Sequence, residues 1–135
     1  EEAFSGAWLR QAFAGKRAAV KTALMDAKIV VGVGNIYASE ALYRAGIHPG
    51  RPAGRISRRR LDGLAAAVRA VLTEAIAAGG TTLRDFYGGD GQPGYFRQSL
   101  SVYGRAGEPC PGCGEPVRQR VIGQRSSYYC PRCQR

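Results

Sequence analysis

All four cysteines fall within the last 26 residues, as Cys110-Pro-Gly-Cys113, sixteen intervening residues, and Cys130-Pro-Arg-Cys133. A pair spaced by two residues curls into a tight knuckle. Two facing knuckles present four thiolates tetrahedrally, which is the geometry of a structural Zn²⁺ site. Between the pairs Val117, Gln119 and Val121 alternate, Gly123 offers a turn, and residues 126–129 favour a strand. The spacing therefore predicts a β-hairpin carrying one zinc ion on Cys110, Cys113, Cys130 and Cys133. Four cysteine ligands close the coordination sphere, so the metal is structural, and a module this small needs it in order to fold. Two disulfides would require an oxidising compartment, and nothing in the sequence points to secretion. A tetrathiolate iron centre would use similar knuckles and stays open at this point; it would colour the protein, and zinc would not.

The charge balance says what such a hairpin could meet. Twenty Lys and Arg against ten Asp and Glu leave a net charge of +10 on 135 residues. A chain this basic suits a polyanion, most often nucleic acid. Only Lys16, Lys21 and Lys28 are lysines, and the remaining basic residues are arginines, whose planar fork matches phosphate. In the cysteine module Arg118, Arg120, Arg125, Arg132 and Arg135 are opposed only by Glu115. Arg125 follows the expected turn directly, where a side chain projects from a rigid tip. No apolar run approaches the ~20 residues that span a bilayer, and no signal-peptide pattern opens the chain.

Upstream of the cysteines the punctuation is helical. Val20, Ala23, Leu24 and Ala27 fall at i, i+3, i+4 and i+7 in a segment that begins at Lys16. A second helix fits residues 35–45, with Asn35 as its N-cap and Gly46 as its stop. A third, strongly periodic helix follows Ser57 through Leu61, Leu64, Val68, Val71, Leu72 and Ala75, ending at Gly79-Gly80. Residues 81–94 form a glycine-rich loop. Residues 104–109 read as a linker into the cysteine module.

The stretch VVGVGNIYASEAL, residues 30–42, joins the first two helices. It is not a dinucleotide fingerprint, because Tyr37 stands at the third glycine position and no β-α-β alternation surrounds it. Its physics still favours an anion: glycines let the backbone approach, and amide groups at a helix N-terminus face the ligand. With a charge of +10, the anion implied is a nucleic-acid phosphate.

These residues carry a family resemblance. KTALMDAKIVVGVGNIYASEALYRAGIHP resembles the helix-two-turn-helix motif of bacterial formamidopyrimidine-DNA glycosylase, which removes 8-oxoguanine and ring-opened purines. GGTTLRDFYGGDGQPGYF resembles that family's lesion-recognition loop, and VYGRAGEPCPGCG with QRSSYYCPRCQR resembles its zinc finger. The resemblance runs from Lys16 to Arg135. Endonuclease VIII relatives share the motif and finger, but the long glycine-bearing loop and the YCPRCQ ending look closer to the first family. The implied fold is mainly α: a helix-two-turn-helix domain over residues 1–104, including a recognition loop at 81–95, and a zinc finger over 105–135.

The resemblance also implies roles. Asn35 would hold the phosphate beside the lesion with its side chain and neighbouring amides. Arg125 would grip phosphates flanking the everted nucleotide and take part, as proton donor, in the final elimination. Lys16 corresponds to a DNA-contacting position, and Lys21 is its neighbour. Double-stranded DNA with a damaged base or abasic site is the implied partner, for a monomeric cytoplasmic protein associated with the bacterial nucleoid. In this family the nucleophile is an N-terminal proline amine followed by glutamate, in a β-sandwich domain. This chain opens Glu1-Glu2 and shows no such domain. The expectation is a C-terminal half that binds DNA and does not cut it. Lys21 and Lys28 are replacement amines only in principle. His48, the sole histidine, is expected to cap a turn before Pro49, and Glu40 and Asp26 to be surface charges. A freestanding zinc-ribbon nucleic-acid-binding protein is the alternative reading.

Overall fold

The computed structural model describes residues 5–26, 34–77 and 100–135. Among these residues four α-helices pack into one body, and a two-stranded hairpin docks on it. Helix α1 spans Gly6–Phe13, a segment for which the sequence reading assigned no element. Its signals are short but complete. Extended Ser5 accepts from the Trp8 amide, Leu9 and Phe13 bury one face, and Ala14-Gly15 stops it, Gly15 at φ 73°. Gly6 lets α1 lie directly on the last long helix, because a Cβ there would sit 2.8 Å from the Asp62 Cα.

Helix α2, Val20–Asp26, starts at the first residue of the apolar stripe, four residues after Lys16, the expected start of its segment. Ala19 is bridged to Pro52, while the Val20 and Lys21 amides donate to the Arg51 and Pro49 carbonyls at 2.7 and 3.2 Å. The loop before α4 thus satisfies the first-turn amides of α2, and the bridge holds residue 19 out of the helix.

Helix α3, Asn35–Ala45, has the expected range but a different cap. Gly34 takes the extended N-cap position and Asn35 is the first helical residue, which frees the Asn35 side chain for other partners. Gly46, at φ 72°, closes the far end as expected, its amide reaching the Tyr43 carbonyl while Ile47 reaches that of Leu42. A short 3-10 turn, Ala53–Arg55, leads to α4, Arg58–Ala77, which Ser57 caps through the Arg60 amide. Gly79-Gly80 and the loop at 81–95 lie outside the described residues.

The core is the interface of these helices. Leu9 and Phe13 of α1, Val20 and Leu24 of α2, Ala38 and Leu42 of α3, and Leu61, Leu64, Val68 and Val71 of α4 are buried together. Leu72 is only partly buried at its edge. No helix among the described residues is long and apolar enough to cross a membrane.

Strands β1, Arg118–Ile122, and β2, Arg125–Tyr129, pair antiparallel from Arg118 opposite Tyr129 to Ile122 opposite Arg125. Gly123 and Gln124, at φ 60° and 68°, form the two-residue turn, and positive φ at both positions matches the right-handed twist of the strands. A second apolar cluster, Val102, Cys110, Val117 and Cys130 with Tyr43 and Tyr128 packed on it, joins this module to α3.

Glu40 corrects the expectation of a surface charge. It is 1 % exposed, and its carboxylate accepts the amides of Ser101, Val102 and Tyr103 at 2.8, 2.9 and 2.9 Å. Three amide donors compensate the desolvated carboxylate and anchor residues 101–103 to α3. Glu40→Ala strands these groups and is expected to lower unfolding stability by about 3 kcal/mol. Urea denaturation measures the loss; an unchanged midpoint would contradict the anchoring role.

Candidate nucleic-acid interface and metal centre

The metal centre is built from two knuckles flanking the hairpin, Cys110 and Cys113 before β1, Cys130 and Cys133 after β2. Their four Sγ atoms all lie within 4.8 Å of one another. Cys110 to Cys133 is 3.8 Å and Cys113 to Cys130 is 3.5 Å. A tetrahedron with Zn–S bonds of about 2.3 Å has edges of about 3.8 Å, so the sulfurs fit a four-coordinate ion. Backbone amides point at the ligands as in such knuckles, Gly112 N–H to Cys110 Sγ and Cys133 N–H to Cys130 Sγ, both 3.3 Å. Gln134 ties the second knuckle to the helical body. Its Oε1 accepts the Cys130 amide at 2.8 Å and its Nε2 donates to the Ile47 carbonyl at 3.0 Å. Gln134 has no role assigned from the sequence, where only its place directly after the last ligand distinguishes it; its burial follows from contacts distant in the chain.

The second site is where α2, α3 and the hairpin tip meet. Lys21, expected beside a DNA-contacting position, is 1 % exposed. Its Nζ donates to Asn35 Oδ1 and lies 3.4 Å from the Ser126 carbonyl oxygen. Asn35 Nδ2 donates to that same carbonyl at 2.8 Å. The first helical residue of α3 is thereby bonded to the second residue of β2, 91 positions on in the chain. At the turn, a Cβ on Gly123 would lie 2.5 Å from Thr22 Oγ1, so glycine lets the tip rest on α2. Arg125, at the start of β2, is exposed, as are Arg118, Arg120, Arg132 and Arg135.

Lys21, Asn35 and Arg125 therefore converge, while Lys16 stands apart on the α1–α2 connection. Lys16 is exposed, and its carbonyl accepts the Gly54 amide at 2.9 Å. Lys28 lies outside the described residues. Asp26 is a surface charge, as expected. His48 does cap a turn, its Nδ1 accepting the Gly50 amide at 2.9 Å, and its ring packs 4.6 Å from that of Tyr129.

No side chain caps the N-terminus of α3, so its positive end can meet an anion. Beside it, burial and then the Arg125 guanidinium lower the Lys21 pKa from the ordinary lysine value of 10.5 to about 8. The described ion pairs are Arg44–Glu74, Arg58–Asp62 and Arg105–Glu108, none of which touches Lys21 or Arg125. The junction is cationic, and the Arg125 charge acts on Lys21 repulsively.

A helical body in which Gly34 leads into a cationic helix N-terminus, joined to a four-cysteine hairpin, defines a DNA-binding protein of the helix-two-turn-helix and zinc-finger class. A model described as the formamidopyrimidine-DNA glycosylase H2TH domain matches residues 1–87, and one described as the zinc finger found in FPG and IleRS matches residues 107–135. The chain belongs to the formamidopyrimidine-DNA glycosylase family. It is 65 % identical over 135 residues to the formamidopyrimidine-DNA glycosylase of Alkalilimnicola ehrlichii, covering all of this chain and 49 % of that one. It is 67 % identical over 132 residues to that of Syntrophotalea carbinolica, covering 98 % of this chain and 49 % of that one. The chain thus spans about half the length of these curated relatives. The crystal structure of MutM (Fpg) from Thermus thermophilus superposes with a TM-score of 0.87 at 42 % identity, over 99 % of this chain and 51 % of that one. The Lactococcus lactis Fpg complexed with abasic-site DNA superposes at 0.85 and 29 % identity, over 98 % and 48 %.

The Lys21 shift has two consequences of opposite sign. Holding this ammonium costs the DNA-free chain stability below about pH 8, and the cost is relieved as pH rises from there toward 10.5. Phosphate binding needs the protonated form, so DNA affinity is expected to fall about tenfold between pH 7 and pH 9. Lys21→Met is expected to flatten both profiles. Anisotropy and urea titrations across this range measure them; a flat wild-type binding profile would contradict the assignment.

Proposed function

We propose that this chain is the DNA-gripping half of a base-excision-repair glycosylase and AP lyase that removes oxidised purines. One observation carries the reading: Lys21, Asn35 and Arg125 converge on the N-terminus of α3 without an anionic partner among the described residues. Asn35 and the first-turn amides of α3 hold the phosphate next to the lesion, and Lys21 supplies the buried positive charge. Arg125 grips the phosphates flanking an everted nucleotide, and in the full enzyme it serves the elimination step. Lys16 extends the contact along the backbone. Abasic-site DNA in the Lactococcus lactis neighbour supports this choice of partner.

The four cysteines are proposed to hold one zinc ion. When bound it supplies folding free energy to the hairpin and leaves no open coordination position. Attack at C1′ of a flipped nucleotide requires an amine nucleophile. Among the described lysines, Lys21 is committed to Asn35, and Lys16 stands on the surface without a base beside it. The 135 residues are accordingly proposed to bind and not to cleave.

Two duplexes test this reading, one intact and one carrying a stable abasic analogue, titrated by anisotropy at several salt concentrations. Affinity should fall with salt at a slope near −0.9 per neutralised phosphate. The abasic duplex should bind more tightly, and Asn35→Ala or Arg125→Ala should weaken that binding by about tenfold. Equal binding to both duplexes would reduce the chain to a generic backbone grip. Strand cleavage at a natural abasic site by the purified chain would overturn the non-cleaving assignment.

A further inference from the structure

Helix α3 touches the metal centre at one side chain. Tyr43 lies half-buried in the apolar cluster that Val102, Val117, Cys110 and Cys130 form, and its hydroxyl oxygen is 3.1 Å from Cys110 Sγ. Cys110 Sγ also receives the Gly112 amide at 3.3 Å. Gly112 itself makes room for the contact, since a Cβ at that position would stand 3.0 Å from the Tyr43 hydroxyl oxygen. A metal-bound cysteine is deprotonated and has only acceptor capacity, so the hydroxyl must be the donor.

We infer that the Tyr43 hydroxyl is an outer-sphere donor of the metal centre, a positioning residue that holds the Cys110 thiolate in its coordinating orientation and fastens the first knuckle to α3. Donation withdraws electron density from one of four thiolates around a divalent ion, reducing their mutual repulsion and the ease with which Cys110 is protonated and released. Outer-sphere hydrogen bonds of this kind are worth about 10–100-fold in metal affinity. The contact also places the metal centre and the phosphate-binding end on the same eleven-residue helix. The inference concerns the fit of this chain's residues to the ion and needs no particular DNA lesion.

Two substitutions test it by independent routes. Tyr43→Phe keeps the ring and removes the donor. Gly112→Ala keeps the hydroxyl but crowds it, so that the oxygen must give by a few tenths of an ångström, while the new Cβ meets Cys133 and Cys110 Sγ at ordinary contact distances of 3.6 and 3.8 Å. The readouts are zinc release to a chromophoric chelator and the near-ultraviolet sulfur-to-cobalt charge-transfer band of the Co²⁺-substituted protein. Tyr43→Phe is expected to release zinc about tenfold faster and to move the band to longer wavelength, because a thiolate without its hydrogen bond is the easier electron donor. Gly112→Ala is expected to change both in the same direction by less, though release should still exceed about twofold. Far-ultraviolet melting of the helical body should stay near wild type, separating lost donation from general unfolding. Zinc release within twofold of wild type and an unmoved band in both variants would overturn the inference.

Discussion

The side-chain amide of Asn35 joins segments that the chain keeps far apart. Its oxygen takes the Lys21 ammonium and its nitrogen holds the Ser126 carbonyl, so α2, α3 and the hairpin tip share one residue. Both ends of the amide are used, which fixes its orientation, and an isosteric carboxylate could not donate to Ser126. The arrangement leaves a buried ammonium beside an arginine, with burial the larger and Arg125 the smaller cause of its lowered pKa. That local cost makes sense at a site meant to be completed by a phosphate, whose charge would compensate both cations at once.

Helix α3 distributes the consequences. Its first residue meets the hairpin. Glu40, five residues further in, anchors residues 101–103, and Tyr43 reaches Cys110. Arg44 then forms a two-pronged pair with Glu74 of α4, at 2.6 and 2.7 Å. The last pair is partly exposed and contributes modestly to stability. The buried Glu40 contacts matter more, because three amides and a carboxylate would otherwise be left without water. The proposed phosphate site, the chain connection and the four-cysteine cluster are thus tied to one helix, the arrangement that keeps a binding geometry from loosening.

Much of this was legible in the residues, for identifiable reasons. Cysteine spacing prescribes its own geometry, so the ligands and hairpin could be placed directly. The 3.6-residue stripe of α4 and the left-handed stop at Gly46 are local signals, and they gave α4 and the end of α3. The turn at Gly123 and the position of Arg125 just after it were equally local. What escaped depended on contacts distant in sequence. The start of α2 is set by the bridge between Ala19 and Pro52, and the cap of α3 by Gly34 in place of Asn35. Glu40 reads as an ordinary surface acid until three amides from 61–63 positions on surround it. Tyr43 and Gln134 stand inside motif stretches, but neither spacing nor residue type marks their contacts with Cys110, Cys130 and Ile47.

On the proposed reading the four-cysteine hairpin and α3 act as one unit. Amide hydrogen exchange in α3, compared between metal-loaded and metal-stripped protein, tests it most directly. If the unit exists, stripping the metal should accelerate exchange of the amides of residues 38–43 at least about tenfold, together with those of the hairpin. The Leu64–Val71 stretch of α4 should change far less. Free exchange throughout the hairpin with α3 unaltered would show that the two are merely neighbours, and would contradict the account.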